Sequence, residues 1–164
     1  MSELEQVLVG DGAFTPPGRI LEGVTEELAH RKLEGAPHSM YEELWHLAFW
    51  QQVSLDWIAG VETAYPASAG DGFPTVLDME KESWEELCAR FLDGARKAGD
   101  AALDAERLEA PVRCPSRPGN PVRVMTVREQ LENLAAHNAY HLGRIVLLRQ
   151  LLGSWPPRSG GFTW

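Results

Sequence analysis

Apolar residues recur at spacings of three and four through much of this chain, the period of one face of an α-helix. Trp84, Leu87, Phe91, Ala95 and Ala98 mark such a face within a helix predicted over residues 79–105. His46, Trp50, Val53 and Trp57 form a second stripe, in a segment from Ser39 to Ala59 that holds no helix breaker. Leu131, Leu134, Ile145, Leu148 and Leu152 form a third, between Thr126 and Leu152. The helix starts are signposted. Ser39 with Glu42, Ser83 with Glu86 and Thr126 with Glu129 each have the spacing of a capping box. In that motif the hydroxyl accepts from an orphan N–H of the first turn, and the carboxylate accepts from the cap's own N–H.

Glycine and proline punctuate the rest. A Gly/Pro stretch from Gly10 to Gly18 leaves residues 2–9 room for at most a short helix. A longer helix is predicted from near Pro16 to about Lys32, with a break at Gly23-Val24-Thr25. Residues 62–78, which contain Pro66, Gly70, Gly72 and Pro74, read as a long connection, and residues 106–125 as another. Within the latter, Val112-Arg113-Cys114 and Val122-Arg123-Val124 alternate on either side of a turn, as in a small β-hairpin. Four helices with long crossover connections make an all-α four-helix bundle. It is expected as one domain over 1–164, with an N-terminal segment 1–15 and a Pro/Gly-rich tail 153–164.

At 164 residues the chain is long enough to bury a full core. Fifteen basic against 24 acidic residues give a net charge of −9, the wrong balance for tracking phosphates, so nucleic acid is not an expected partner. The acidic start Met1-Ser2-Glu3-Leu4-Glu5 has no apolar h-region, and no apolar run reaches membrane-spanning length, so neither a signal peptide nor a membrane partner is expected. Cys88 and Cys114 are too few and too far apart for a disulfide scaffold or a C-x-x-C pair, which fits a reducing cytoplasm. Cys88 reads as a buried structural thiol, and Cys114, in a Pro-rich loop, as an exposed one.

Chemistry is concentrated in the histidines. His137 and His141 stand four residues apart on one predicted helix, so both project from one face with Cβ atoms about 6 Å apart. His46 sits on a core-facing stripe of another helix, which packing can bring to the same place. Three neutral imidazoles from two helices leave coordination positions open, as catalytic metal sites do. The spacing also suits histidines that are hydrogen-bonded core residues, and both readings stand on residue pattern alone. Asn138 occupies the slot that a zincin fills with glutamate, and Leu134 occupies the slot that a second E-x-x-H motif of a di-iron bundle would need. Glu43 completes Glu43-Leu44-Trp45-His46; it reads first as a first-turn charge that suits the helix dipole, and otherwise as a partner that supports a ligand or as an extra ligand. His30 and His38 fall near helix ends and read as surface or capping residues.

Pro37-His38-Ser39-Met40 running into Leu44-Trp45-His46-Leu47-Ala48, followed about 90 residues later by Ala136-His137-Asn138-Ala139-Tyr140-His141-Leu142-Gly143, resembles the DinB-like, or YfiT-like, bundle family. The resemblance runs from about Pro16 to Leu152. It implies a four-helix bundle of up-down-down-up topology and a divalent metal, zinc or nickel, held by His46, His137 and His141. Arg144 and Leu142 stand where many members carry Gln and a polar or basic residue, so no substrate is carried over. The activities it implies are transfer or isomerisation with a low-molecular-weight thiol as cosubstrate.

A metal held by three neutral imidazoles keeps most of its charge and acidifies a bound thiol or water. The expected function is therefore a metal-dependent enzyme that transfers a thiol or hydrolyses a small-molecule substrate. The alternative is a non-catalytic metal-binding or stress-related module that forms a homodimer. Asn138 is the better positioned of the ligands' neighbours to support one of them, and helix packing suits it equally. Arg113, Arg117, Arg123 and Arg128 read as a solvated charge run around the second connection, with a carboxylate clamp as the other use. Trp45, Trp50, Trp57 and Trp84 read mainly as core, and otherwise as an apolar pocket wall.

Overall fold

The computed structural model describes residues 2–10 and 14–160. Parts of the expected Gly/Pro stretch and the end of the expected tail lie outside the described residues. The chain is mostly helical, as its periodicity predicts: α1 Glu3–Val9, α2 Pro17–Leu21, α3 Glu26–His30, α4 Met40–Ile58, α5 Val76–Lys81, α6 Trp84–Leu103 and α7 Val127–Leu151. A two-stranded antiparallel ribbon, β1 Pro111–Cys114 with β2 Arg123–Thr126, is the expected hairpin.

All three predicted capping boxes form, with Ser39, Ser83 and Thr126 each accepting from the backbone N–H three residues on. The Ser83 box corrects the expected start of the third helix. Glu82 and Ser83 are extended, so residues 76–81 form a separate short helix and α6 begins at Trp84. The expected first helix is likewise two pieces, α2 and α3, separated at the predicted break.

Side-chain pairs fix how the long helices run. Glu43 meets His141, Gln51 meets Asn138 and Ser54 meets Gln130, so α4 and α7 are antiparallel. Tyr41 meets Glu82 and Gln51 meets Phe91, so α4 and α6 are parallel. Parallel neighbours need a connection that returns along the bundle, and residues 59–83 supply it. That return path carries a 3₁₀ turn, Ala69–Gly72, back over the middle of α4.

α4 packs against both α6 and α7, which explains why it is buried nearly all round. Two apolar clusters fill the bundle. One holds Ile20, Leu21, Leu44, Leu47, Leu87, Phe91, Leu142 and Ile145. The other holds Leu8, Val53, Trp57, Ala98, Ala102, Leu131 and Leu134. Each fully buried Leu, Ile or Phe contributes roughly 1.5–3 kcal/mol. A belt of polar residues runs along the α4–α7 contact, His46 and Gln51 on one helix and His137, Asn138 and His141 on the other, and on α7 it lies between the two clusters.

Gln51 shows how tightly this belt is built. Its amide donates to the Phe91 carbonyl at 2.8 Å and its oxygen accepts from Asn138 at 3.2 Å, tying three helices together. Gly94 makes room for it, because a Cβ there would lie 2.1 Å from Gln51 Nε2. Gly94→Ala therefore destabilises the protein by about 1–3 kcal/mol. Helix propensity alone predicts a gain of about 0.8–1 kcal/mol from the same change. Urea unfolding of the two proteins decides the sign.

Candidate metal centre

His46, on the second turn of α4, and His137 and His141, one turn apart on α7, converge because their helices are antiparallel neighbours. One imidazole nitrogen from each lies within 4.8 Å of the others. The His46 and His137 Nε2 atoms are 3.2 Å apart. Two nitrogens on one tetrahedral ion at about 2.1 Å stand roughly 3.4 Å apart, so this spacing is that of two ligands.

The remaining contacts set the tautomers. His46 Nδ1–H donates to the Gly72 carbonyl at 2.7 Å, and His141 Nδ1–H donates to a Glu43 carboxylate oxygen at 2.6 Å. A carbonyl and a carboxylate only accept, so both rings carry a proton on Nδ1, and each in its neutral form turns an Nε2 lone pair inward. His137 Nδ1 has no protein partner among the described residues. The donor set fits a divalent cation: converging imidazole lone pairs, two of them oriented from behind as metal-binding histidines are.

Burial pushes His46 below the ordinary imidazole range, against the Gly72 bond that favours its charged form. Burial first, then the neighbouring His141 and His46, pull His137 down to about 4. Both rings are therefore neutral at pH 7 and available as ligands. The sign for stability follows. An unfolded imidazole takes up its proton near 6.5, but folded His137 resists until about 4, so the metal-free protein loses stability as pH falls from about 6.5 toward 4. Thermal unfolding of metal-free wild type and His137→Gln across that window should show a steeper fall for wild type.

Glu43 takes the second of its two sequence readings, a partner that supports a ligand. It lies in the first turn of α4 and is completely buried, with one oxygen on His141 and the other 2.8 Å from Arg144 Nη2. Arg144 also lies over the Tyr140 ring, 5.9 Å from its centroid. Asn138 bonds Gln51 and thus serves helix packing.

Two further residues were missed. Phe73, at the end of the 3₁₀ turn, stacks on His46 at 4.2 Å between centroids, and His38 stacks on the other side of Phe73 at 3.9 Å. His38 is thus a half-buried member of the wall behind the site, not a surface or capping residue. His30 lies against Tyr41 and pairs with Glu26, remote from the cluster. Gly72 approaches His46 so closely that an added Cβ would lie 3.5 Å from its Nδ1 and 3.3 Å from Trp50 Nε1. Nothing in the irregular connection marked these positions beyond the glycine itself.

The cysteines stand apart from this chemistry. Cys88 is half-buried and its thiol is pushed up to about 12 by burial. Cys114 is fully buried rather than exposed, because the β1 alternation turns it and Val112 inward, and burial raises its thiol too. Trp57 and Trp84 are core residues, while Trp45 and Trp50 are half-buried.

Two clefts open beside the histidines. One, of about 170 Å³, reaches His46; the other, of about 340 Å³, reaches His137; Trp50 and Tyr65 line both. No described helix is long and apolar enough to cross a membrane. Comparison with known proteins gives one finding: the family model of the DinB superfamily matches residues 19–145, which contain all three histidines. No curated protein matches the chain.

Proposed function

The chain belongs to the DinB superfamily, and on that premise we propose that it is a divalent-metal-dependent enzyme whose ion is held by His46, His137 and His141. The reaction is transfer of a low-molecular-weight thiol to an electrophile, or hydrolysis of a small substrate. The observation that carries this reading is the convergence of three imidazoles whose tautomers are set by Gly72 and Glu43. All-nitrogen donors suit zinc or nickel. The chemistry such an ion supplies is Lewis acidity, which makes a thiol or a water nucleophilic near neutral pH.

The chain's own residues supply the rest. Glu43 and the Gly72 carbonyl hold two rings in place, and Phe73 and His38 cover His46 from behind. Trp50 and Tyr65, with ring centroids 5.0 Å apart, wall the clefts through which a substrate reaches the cluster. Neither cysteine has the lowered pKa of a nucleophile, so the reacting sulfur in a thiol transfer comes from the cosubstrate.

The test is turnover by zinc-loaded protein of cysteine with 1-chloro-2,4-dinitrobenzene, and of 4-nitrophenyl acetate, against His137→Ala and chelator-treated wild type. Turnover in one assay that both treatments abolish supports the proposal. Turnover indifferent to both, or none in either assay, overturns it. A non-catalytic homodimeric module is the second reading, and one observation favours it. Tyr140, Leu147 and Leu151 are exposed along α7 beside the 33–38 loop. Sedimentation of wild type and Leu147→Glu distinguishes it.

A further inference from the structure

We propose that the cleft beside His137 binds the carboxylate end of a small substrate with a planar apolar body, and that Arg123 is its anchor. This rests on the metal-dependent reading above and names the class of substrate which that site takes. The first observation is one of charge. The chain carries a net −9, yet among the described residues no aspartate or glutamate lines either cleft at the histidine cluster. Each cleft is instead lined by one arginine from the β1–β2 hairpin region and one cluster histidine: Arg123 with His137, and Arg117 with His46.

The second observation is how the four arginines divide. Arg113 pairs with Glu62 at 2.9 Å and Arg128 pairs with Glu109 at 2.9 Å, both on the outside of the molecule. Arg117 and Arg123 have no carboxylate partner among the described residues. The hairpin region thus brings two arginines without a carboxylate partner to the clefts and pairs the other two with glutamates. A guanidinium matches a carboxylate with two parallel N–H donors, a fit no neutral side chain reproduces.

The third observation selects the rest of the ligand. Besides Arg123 and His137, the larger cleft is walled by Trp50, Trp57 and Tyr65, with Gln130 and Asn133 as its polar amides. Aromatic walls favour a flat apolar body. A volume of about 340 Å³ lies at the low end of the roughly 300–1,000 Å³ of ligand sites, which suits a small metabolite rather than a peptide. With its carboxylate on Arg123, such a molecule turns its opposite side toward His137 and the cluster.

Calorimetric titration with 2-naphthoate and its neutral isostere 2-naphthamide tests this. The proteins are zinc-treated wild type, Arg123→Gln and, as a hairpin control, Arg113→Gln, with zinc content measured on each. Wild type is expected to prefer the naphthoate. Arg123→Gln is expected to lose about tenfold or more of naphthoate affinity while holding naphthamide as before. Arg113→Gln should match wild type. Equal binding of the two ligands, naphthoate affinity indifferent to Arg123→Gln, or no naphthoate binding by wild type overturns the anion anchor. Repeating the titration after chelation separates the two readings. A wild type that takes up no zinc overturns the metal reading, whereas Arg123-dependent naphthoate binding that survives chelation supports the anchor on its own.

Discussion

Alanine at His137 is expected to abolish metal uptake without weakening the fold. Wild type loaded with zinc and passed through a desalting column should retain about one equivalent by elemental mass spectrometry, and His137→Ala less than about a tenth. The reasoning is local. His137 is the histidine whose second nitrogen has no protein partner, and its ring is held neutral by burial and by the two imidazoles beside it. Its removal gives up the contact with His46 Nε2 and a weak contact with the Asn138 amide, and strands no buried charge. His141→Ala should lose the metal equally and also lose stability. It takes away a hydrogen bond to a fully buried carboxylate, worth about 1.5–3 kcal/mol. Thermal unfolding separates the effects. A hundredfold excess of zinc over Kd stabilises wild type by about 2.7 kcal/mol and leaves both variants unmoved. Equal zinc retention by wild type and His137→Ala would place the ion elsewhere.

The contrast between these histidines also shows what a one-dimensional pattern carries. His137 and His141 share a face because a helix dictates it, and the Thr126 and Ser39 capping boxes located both ligand helices almost to the residue. The partnership of His46 with the pair depends on α4 and α7 being antiparallel neighbours, which periodicity permits but does not choose. The burial of Glu43 was illegible for a related reason. A glutamate in a first turn is normally solvated, and only the arrival of His141 and Arg144 from a helix nearly a hundred residues later makes its burial tolerable. Gly72, Phe73 and His38 lie in irregular segments, where no period exists to read. Cys114 is different, since the alternation of Val112, Arg113 and Cys114 carried the signal. The prolines of the surrounding connection outweighed it.

Glu43 and Arg144 form an unequal pair, and the inequality predicts an unusual order of mutational effects. Glu43 is 0% exposed, whereas the Arg144 side chain keeps 32% of its surface in water. Removing the buried member leaves Arg144 free to return to solvent over Tyr140. Glu43→Gln also keeps an amide oxygen for His141 Nδ1–H. Its main consequence is therefore on the metal: a neutral acceptor makes His141 a weaker donor, lowering zinc affinity by about 10- to 100-fold. Removing the exposed member strands a carboxylate in the core. Arg144→Met is thus the more destabilising change, by about 3–5 kcal/mol, although exposure alone would rank it as nearly neutral. Competition with a chromophoric chelator measures the first effect and urea unfolding of metal-free protein the second. If Glu43→Gln proved the less stable variant, Arg144 would not be what keeps that carboxylate tolerable in the core. The orientation of His141 would then rest on the bundle packing around it.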